Sequence, residues 1–392
     1  MRNHTKWVSM WGNAMSIATH RPESYAKNIT LRYPIYTPFD GSSLKFTFDN
    51  YCGTEPIHIT CATVALASEQ NPTPLSCSAV RDTFTSITFS GMDDVVIAPG
   101  ESVVSDAISF SVKRGTSLLV SFYLADFTQM QSAVLITGPL SKAFYSISDQ
   151  TNAVQLPVND TKSISWFYFL SNIDILTSGD SHTILCYGDS ITAQDWPDYL
   201  SLTLGEHHIL DTAVIRRATS GSRILRQYDC ITYDSYGLKG TNRFDHEIPT
   251  NGVDTIIIQQ GINDIIHPVG IEKNQFRPMS DLPTADDLIA GMRWYIERAR
   301  NYNCKVYVGT LLPIFGWRTY APFREDLKNE FNDWIKSTDE IDGFIDFEAV
   351  LKDPQHKEAF RKEYDSGDHL HPSSIAYQKM AECAYEKLYQ NK

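Results

Sequence analysis

The hydrophobic pattern of the chain changes once, between about residues 160 and 180. Before residue 165, short apolar and polar alternations rich in β-branched and aromatic side chains are separated by turn residues, as in SLKFTFDNY, PIHITCATVAL and SLLVSFYLADF. Alternation places successive side chains on opposite faces of a strand, and turn residues end each run. This half of the chain therefore predicts an all-β sandwich.

After Asp180, apolar runs typical of buried strands alternate with amphipathic segments. The predicted strands are HTILCYG, HHILDTAVI, VDTIIIQQG, CKVYVGTLLP and DGFIDF. Helices are predicted to begin around Pro197, after Thr284, and after Ser373 or Ser374. Strands that alternate with helices predict a mostly parallel sheet in a three-layer α/β/α arrangement. We expect a β-sandwich domain over residues 1–165, a linker over 166–180 and an α/β domain over 181–392.

A formal net charge of −13 argues against partners that need clustered basic residues. Nucleic acids and anionic membrane surfaces attract Lys and Arg side chains, so neither is an expected partner. No run approaches the roughly 20 apolar residues of a membrane span. The seven Cys residues are scattered and lack Cys-x-x-Cys spacing, which argues against a zinc site and against a disulfide framework.

The start of the chain, MRNHTKWVSMWGNAMSIATH, lacks the uninterrupted apolar segment and the cleavage site of a signal peptide. We therefore expect a cytoplasmic, reducing location, although a secreted protein whose leader has been removed would have the same sequence. The pattern is compatible with a homo-oligomer and says nothing more about the oligomeric state.

The tripeptide Gly-Asp-Ser occurs twice, ending at Ser181 and at Ser190. In a parallel sheet, reactive groups gather at the carboxyl ends of the strands. Ser181 precedes the apolar run TILCY, whereas Ser190 follows that run and precedes a helix. A strand-turn-helix setting exposes a side chain and directs backbone N–H groups towards an oxyanion. Ser190 is therefore the candidate nucleophile; the alternative interpretation is a turn or helix-capping serine.

Partners for a nucleophilic serine occur near the C-terminus, in YDSGDHLHPSS. Asp368 and His371 are three residues apart, a spacing that lets a carboxylate orient an imidazole within one turn. His369 is too close to Asp368 for that pairing, and we assign it a structural or exposed role. A single His is more often a surface or packing residue, so the assignment of His371 depends on the other motifs.

Two further motifs follow predicted strands and supply candidate oxyanion donors. QQGIND comes directly after VDTIII and places Asn263 at the carboxyl end of a strand. TSGSR comes after HILDTAVI and presents the backbone N–H of Gly221. Side-chain amides and backbone N–H groups are the usual donors to an oxyanion. Taken alone, each motif also fits an ordinary turn.

In their order, these blocks resemble the SGNH hydrolases, also called the GDSL esterase and lipase superfamily. The matching blocks are Gly188–Ser190, Gly221, Gly261–Asp264 and Asp368–Pro372. WGNAMSI, FDNYCGTEPIHI and IAPGESVVSD extend the resemblance to two-domain esterases of that superfamily, which carry an N-terminal β-sandwich. Ile191 stands where Leu is usual, and VIRRATSGSR lacks the Asn-x-Gly that commonly precedes the second block.

The resemblance implies a flavodoxin-like parallel sheet preceded by a jelly-roll-like sandwich. It also implies acyl transfer through a covalent intermediate, with Ser190 as nucleophile, His371 as general base and Asp368 orienting that base. The oxyanion would be held by the N–H groups of Ser190 and Gly221 and by the side chain of Asn263. Neither a metal nor an organic cofactor is expected.

The two-domain enzymes that the chain resembles are largely carbohydrate esterases, so we expect an acylated oligosaccharide or another small ester as substrate, with O-acetyl as the first choice. The candidate substrate-binding residues are Trp196, His267, Trp317 and Tyr320. One alternative is a short-chain thioesterase or lysophospholipase-type esterase. The other is a glycan-binding module on a catalytically inactive scaffold, against which the intact Ser190 and His371 argue.

Overall fold

The computed structural model describes residues 4–17, 24–68, 77–228, 230 and 232–390. Contacts within the chain divide it into two compact units. The first comprises Met1–Thr183 with His208–Ile215, and the second comprises Ile184–His207 with Arg216–Lys392.

Strands build almost all of the first unit. They are β1 (Thr5–Gly12), β2 (Ser16–Ile17), β3 (Tyr25–Ala26), β4 (Ile29–Tyr36), β5 (Gly41–Asp49), β6 (Ile57–Ile59), β7 (Cys61–Leu66), β8 (Thr85–Ser86), β9 (Val95–Ile97), β10 (Ser102–Val104), β11 (Ile108–Val112), β12 (Ser117–Leu124), β13 (Thr128–Gln129), β14 (Ser132–Leu135), β15 (Ala143–Ile147), β16 (Thr161–Ile164), β17 (Trp166–Tyr168) and β18 (Leu170–Ser178). Short 3₁₀ turns occur at Arg81–Thr83 and Val158–Asp160.

Two antiparallel sheets form the core of this unit. One has the strand order β16-β15-β4-β12-β7-β8, and the other has the order β1-β18-β5-β10, with β11 also paired to β5. Phe48 of β5 and Phe122 of β12 are fully buried, and their rings meet edge to face with 5.2 Å between centroids. Buried aromatic rings thus join the two sheets, and the predicted all-β sandwich is confirmed.

Residues 166–180, expected to be a linker, instead carry strands of this unit. β17 pairs with β14, and β18 lies between β1 and β5 in its sheet. Ile173 and Ile175 of β18 are fully buried, so the hydrophobic effect favours pairing over solvation. The polar residues of the segment are also accommodated, since Ser9 Oγ donates to Asn172 Oδ1 at 2.6 Å. The change of hydrophobic pattern therefore falls on paired strands and not on a linker.

The rest of the chain alternates strands with helices. The elements are β19 (His182–Gly188), α1 (Ser190–Ala193), α2 (Trp196–Glu206), β20 (Thr212–Ala218), α3 (Gly240–Glu247), β21 (Val253–Gln259), α4 (Ile262–Ile266), α5 (Ala285–Asn301), β22 (Lys305–Gly309), α6 (Pro322–Ser337), β23 (Gly343–Ile345), α7 (Phe347–Leu351) and α8 (Ser374–Tyr385). Short 3₁₀ turns at Asp234–Tyr236, Met279–Asp281 and Lys362–Tyr364 and a π-helical turn at Glu386–Gln390 complete it.

The five strands form one sheet in the order β20-β19-β21-β22-β23, and β21, β22 and β23 pair in parallel. The helices pack in two groups, one of α2, α7 and α8 and the other of α3, α4, α5 and α6. This is the predicted three-layer α/β/α arrangement. Thr284 and Asp287 form a capping box at the start of α5, as the sequence indicates. Among the described residues, no helix has the length and apolar character to cross a membrane.

Candidate active site

The candidate nucleophile lies on the turn that connects β19 to α1. β19 ends at Gly188, where an added Cβ would come within 2.5 Å of the carbonyl oxygen of Gln259. Asp189 then caps α1, and its Oδ1 accepts a hydrogen bond from Ile191 N at 3.0 Å. The close backbone approach and the cap place Ser190 at the first residue of α1, directly beyond the carboxyl end of β19.

A series of hydrogen bonds links Ser190, His371 and Asp368. Ser190 Oγ lies 2.9 Å from His371 Nε2, and His371 Nδ1 lies 2.7 Å from Asp368 Oδ2. Because a carboxylate accepts, a neutral imidazole carries its proton on Nδ1 and leaves Nε2 to accept the serine proton. The fold therefore brings the three predicted residues together in the geometry of a nucleophile beside a general base. Their catalytic roles stay a prediction.

The loop that carries His371 is closed by its own backbone. Asp368 Oδ1 accepts hydrogen bonds from two N–H groups of the loop, one of them His371 N at 2.8 Å. Ser366 N donates to His371 O at 3.0 Å, and Asp365 pairs with Pro372 in an isolated bridge. Partial burial raises the pKa of Asp368, but hydrogen bonds from the His371 side chain and backbone outweigh it and hold that pKa below its usual value. The carboxylate thus stays ionised beside the imidazole.

Gly221 and Asn263 follow the strands on either side of β19 in the sheet. Gly221 has a φ of +79°, a conformation that favours glycine, and the ring of Tyr236 fills the space where a side chain would lie. Asn263, in the first turn of α4, donates from Nδ2 to the carbonyl oxygen of Ser222 at 3.2 Å. This bond ties the two predicted oxyanion blocks to each other.

Asp264 fastens the Gly221 loop to α4. Its two carboxylate oxygens accept hydrogen bonds from Ile224 N at 2.8 Å and from Leu225 N at 3.0 Å. Burial raises the pKa of Asp264 to about 6 in spite of these bonds. The sequence placed Asp264 in a motif, but nothing signals this role, because backbone donors look the same for every residue type.

Arg243 of α3 supports the end of β19. Its side chain is 1% exposed, and its guanidinium donates to Gly188 O at 2.7 Å and to Glu247 Oε2 at 2.6 Å. Burial lowers the pKa of Arg243, but the Glu247 carboxylate more than compensates and holds it above its ordinary value. A buried, charged donor therefore holds the carbonyl group that immediately precedes the cap. Sequence reasoning missed this residue.

Asp189 is a buried acid beside the nucleophile. Burial, reinforced by the nearby Asp264, raises the pKa of Asp189 to about 7, so its protonated form is well populated at neutral pH. Its Oδ2 has no hydrogen-bond partner among the described residues. In the described ranges, no three His, Cys, Asp or Glu side chains form a group that could hold a metal ion.

The sequence of this half of the chain matches a known family. The model of the GDSL-like lipase/acylhydrolase family matches residues 179–379, just over half of the chain. The chain belongs to this family. It is therefore an ester hydrolase in the general sense.

Solved structures of family members are similar to about half of the chain. A GDSL-like lipase from Bacteroides thetaiotaomicron is 16% identical, with 54% of this chain and 89% of that chain covered and a TM-score of 0.36. An acetylxylan esterase from Geobacillus stearothermophilus is 17% identical, with 54% of this chain and 95% of that chain covered and a TM-score of 0.40. The comparison with curated proteins finds no match.

The first Gly-Asp-Ser of this acylhydrolase has different surroundings from the second. Ser181 lies before β19, is 4% exposed, and its N–H donates to Ser178 O at 3.1 Å in a turn. Asp180 is exposed. The hydroxyl that the structure brings to His371 is that of Ser190.

Two of the four predicted substrate-binding residues are buried. Trp196 is fully buried at the start of α2 and packs on Phe347 with 5.4 Å between ring centroids, so it belongs to the core and does not line an open site. His267 is 5% exposed and stacks on Tyr236 at 4.7 Å. Burial, with three nearby arginines, lowers the pKa of His267 well below its usual value, so its ring is neutral. His267 thus packs on one face of the Tyr236 ring, and the same ring contacts Gly221.

The other two predicted residues keep exposed surface. Trp317 and Tyr320 are partly exposed in the loop between β22 and α6, and Tyr320 N donates to Trp317 O at 2.8 Å. Thr319 Oγ1 donates to Ile266 O at 2.9 Å, which attaches this loop to the end of α4. In this acylhydrolase the loop after β22 thus lies next to the helix that begins with the Asn263 block.

Proposed function

We propose that the protein is a serine esterase that hydrolyses short acyl esters, O-acetyl groups on carbohydrates in particular. The observation that carries the proposal is the hydrogen-bonded series from Ser190 Oγ through His371 to Asp368. A serine in contact with an imidazole whose other nitrogen faces a carboxylate is equipped for acyl transfer. Family membership supports the general ester chemistry.

In this mechanism, His371 removes the proton of Ser190 as Oγ attacks the ester carbonyl carbon. The imidazolium then donates that proton to the alcohol oxygen, the ester bond breaks, and the acyl group remains on Ser190. In the second half, His371 removes a proton from water as the water attacks the acyl carbon. The imidazolium then returns that proton to Ser190 Oγ as the acyl–Oγ bond breaks and the carboxylic acid is released. Asp368 stabilises the imidazolium in both halves, and its lowered pKa keeps it ionised for that purpose.

The oxyanion of each tetrahedral intermediate would be held by the N–H groups of Ser190 and Gly221 and by the Asn263 amide. These residues follow β19, β20 and β21, which are neighbours in the sheet. Asp264 holds the loop of Gly221 through its backbone N–H bonds, so little reorganisation is needed during the reaction. Each donor of this kind is worth roughly 3 kcal/mol of transition-state stabilisation.

Two observations favour a sugar as the alcohol and a short acyl group. Trp317 and Tyr320 are partly exposed, and the apolar face of an aromatic ring suits the apolar face of a sugar. Tyr236 fills the space next to Gly221, and His267 stacks on the Tyr236 ring. A long acyl chain would compete with that ring for room, so acetyl is the proposed acyl group.

The test is acetate release from acetylated xylo- and manno-oligosaccharides by the wild type, Ser190→Ala and Ser181→Ala. We expect release by the wild type and by Ser181→Ala, and none by Ser190→Ala. Acyl thioesters, a lysophospholipid and p-nitrophenyl esters from acetate to octanoate are measured in parallel. A higher kcat/KM for a thioester or lysophospholipid would contradict the substrate, and an active Ser190→Ala would contradict the mechanism.

A further inference from the structure

A second Asp–His pair lies in the same loop as the first. His369 Nδ1 lies 2.5 Å from Asp365 Oδ2, and Asp365 Oδ1 accepts hydrogen bonds from Gly367 N at 2.8 Å and from His369 N at 3.0 Å. The Asp365 side chain is 15% exposed and the His369 side chain is 51% exposed. A largely enclosed carboxylate thus fixes the orientation of an imidazole that faces solvent.

The backbone at His369 is in the left-handed region. Its φ is +64°, where a residue with a Cβ is disfavoured and glycine is free of strain. A glycine at this position would relieve that backbone strain. An imidazole that is kept at a position suited to glycine, and is oriented by its own carboxylate, has the features of a binding group.

The His369 ring lies at the catalytic edge of the sheet. An added Cβ at Gly316 would come 2.8 Å from His369 Cγ and 3.0 Å from Cδ2, so the ring packs directly on that glycine. Gly316 belongs to the loop after β22 that also carries Trp317, and His369 is two residues from His371. The ring therefore lies between the loop of the general base and the loop with the exposed aromatic side chains.

The chemistry of this imidazole follows from its partner. Because Asp365 accepts at Nδ1, the neutral ring carries its proton there and presents Nε2 as a hydrogen-bond acceptor. Among the described residues, no hydrogen bond reaches Nε2. An exposed acceptor beside the candidate active site can accept a hydrogen bond from a hydroxyl group of a substrate.

We propose that His369, oriented by Asp365, forms a subsite that accepts a hydrogen bond from a free hydroxyl on the alcohol part of the ester. The inference rests on the proposed esterase function and deepens it, since it assigns recognition of a polyhydroxy alcohol to a named side chain. His369 takes no part in the bond-breaking steps. Its contribution is to bind and position the leaving alcohol.

The experiment compares 2-hydroxyethyl acetate with n-propyl acetate, which differ only by a hydroxyl in place of a methyl group. In His369→Gly, the ratio of kcat/KM for these two esters should fall about five-fold, as expected for the loss of one hydrogen bond. The change should appear as a higher KM for 2-hydroxyethyl acetate, with its kcat and both constants for n-propyl acetate within two-fold of the wild type. His369→Gly relieves the backbone strain, which offsets the lost contact with Asp365, so its melting temperature should stay close to that of the wild type.

His369→Gln is the matched control, because glutamine has the same backbone strain and an amide of similar reach. It should recover part of the ratio, whereas Asp365→Asn should lower the ratio by freeing the ring to turn. An unchanged ratio in His369→Gly, or an equal loss on both esters, would overturn the subsite. A wild type that hydrolyses neither ester nor p-nitrophenyl acetate would instead overturn the esterase function, and the subsite with it.

Discussion

The two Gly-Asp-Ser tripeptides flank the same strand, β19, and have opposite surroundings. In the first, Gly179 N donates to His4 O at 2.8 Å and Asp180 is exposed. In the second, Gly188 is packed too closely for a side chain, Asp189 is fully buried, and Ser190 contacts His371. A tripeptide alone therefore specifies no chemistry.

The decisive difference between the tripeptides is the end of the strand at which each lies. The carboxyl end of β19 is where neighbouring blocks converge, and buried polar groups such as Arg243 and Asp264 hold the turns there. The amino end is a turn tied by backbone bonds such as Ser181 N to Ser178 O. If this comparison is right, equivalent substitutions in the two tripeptides should have unequal effects.

The largest contrast is expected between the two serines. Ser190→Ala should lower kcat by about 10⁴-fold or more, because it removes the nucleophile while leaving binding intact. Ser181→Ala should stay within two-fold of the wild type. Initial rates with p-nitrophenyl acetate measure both, and equal losses in the two variants would contradict Ser190 as the nucleophile.

The next contrast concerns the groups that support each glycine. Arg243→Met should lower the free energy of unfolding by about 3–5 kcal/mol, because Glu247 would stay buried without its partner. His4→Ala, beside Gly179, should change it by less than about 0.5 kcal/mol. Urea denaturation measures both variants. A loss of under 1 kcal/mol in Arg243→Met would show that the end of β19 does not depend on this buried pair.

The two aspartates should differ in how stability depends on pH. Burial raises the pKa of Asp189 to about 7, so its contribution to stability is complete below about pH 4 and is lost as the pH rises through 7. Asp189→Asn cannot ionise and should be stabilised relative to the wild type by as much as about 4 kcal/mol at pH 8, with little difference at pH 4.

Urea denaturation at pH 4, 6 and 8 tests this sign, with Asp180→Asn as the control for loss of one carboxylate. Asp264, whose pKa is raised to about 6, acts in the same direction, and because its charge also raises the pKa of Asp189, the measured difference includes the interaction between the two acids. A difference between Asp189→Asn and the wild type that shrinks as the pH rises would contradict the buried acid.

The smallest contrast is between the glycines. Gly188→Ala should cost about 2 kcal/mol of stability, since the new Cβ would meet the backbone oxygen of Gln259 at 2.5 Å. Gly179→Ala would place its Cβ 2.8 Å from His4 Nδ1 and 2.9 Å from His4 O, and because His4 is exposed, a shift there costs less. Thermal unfolding should rank Gly188→Ala as the less stable variant, and the reverse ranking would be evidence against the tight turn.

Much of the fold and of the predicted triad was readable from the sequence because it depends on local patterns. Strand alternation, the capping residues at Thr284, and the spacing of Asp368 and His371 are all short-range. The roles of Arg243 and Asp264 were not readable, since each contacts backbone groups that any residue type would provide. Long-range packing also decided the cases that sequence reasoning misjudged.

Trp196 and the segment 166–180 are those cases. A tryptophan after a nucleophile turn fits either a substrate wall or a core, and only its contact with Phe347 shows that it belongs to the core. The change of hydrophobic pattern between about residues 160 and 180 suggested a linker, but the partners of β18, such as Ser9, come from strands far away in sequence. Burial of this kind depends on the whole chain rather than on neighbouring residues.

The turn from Asp365 to Pro372 is held together by contacts within itself. Its two carboxylates bind N–H groups of the same turn, and a bridge between its first and last residues closes it. Descendants of such a chain can accumulate substitutions and insertions elsewhere, including the segment around Trp317, while the position of His371 is preserved. Specificity for the alcohol part of the ester can thus change while the geometry at His371 stays the same.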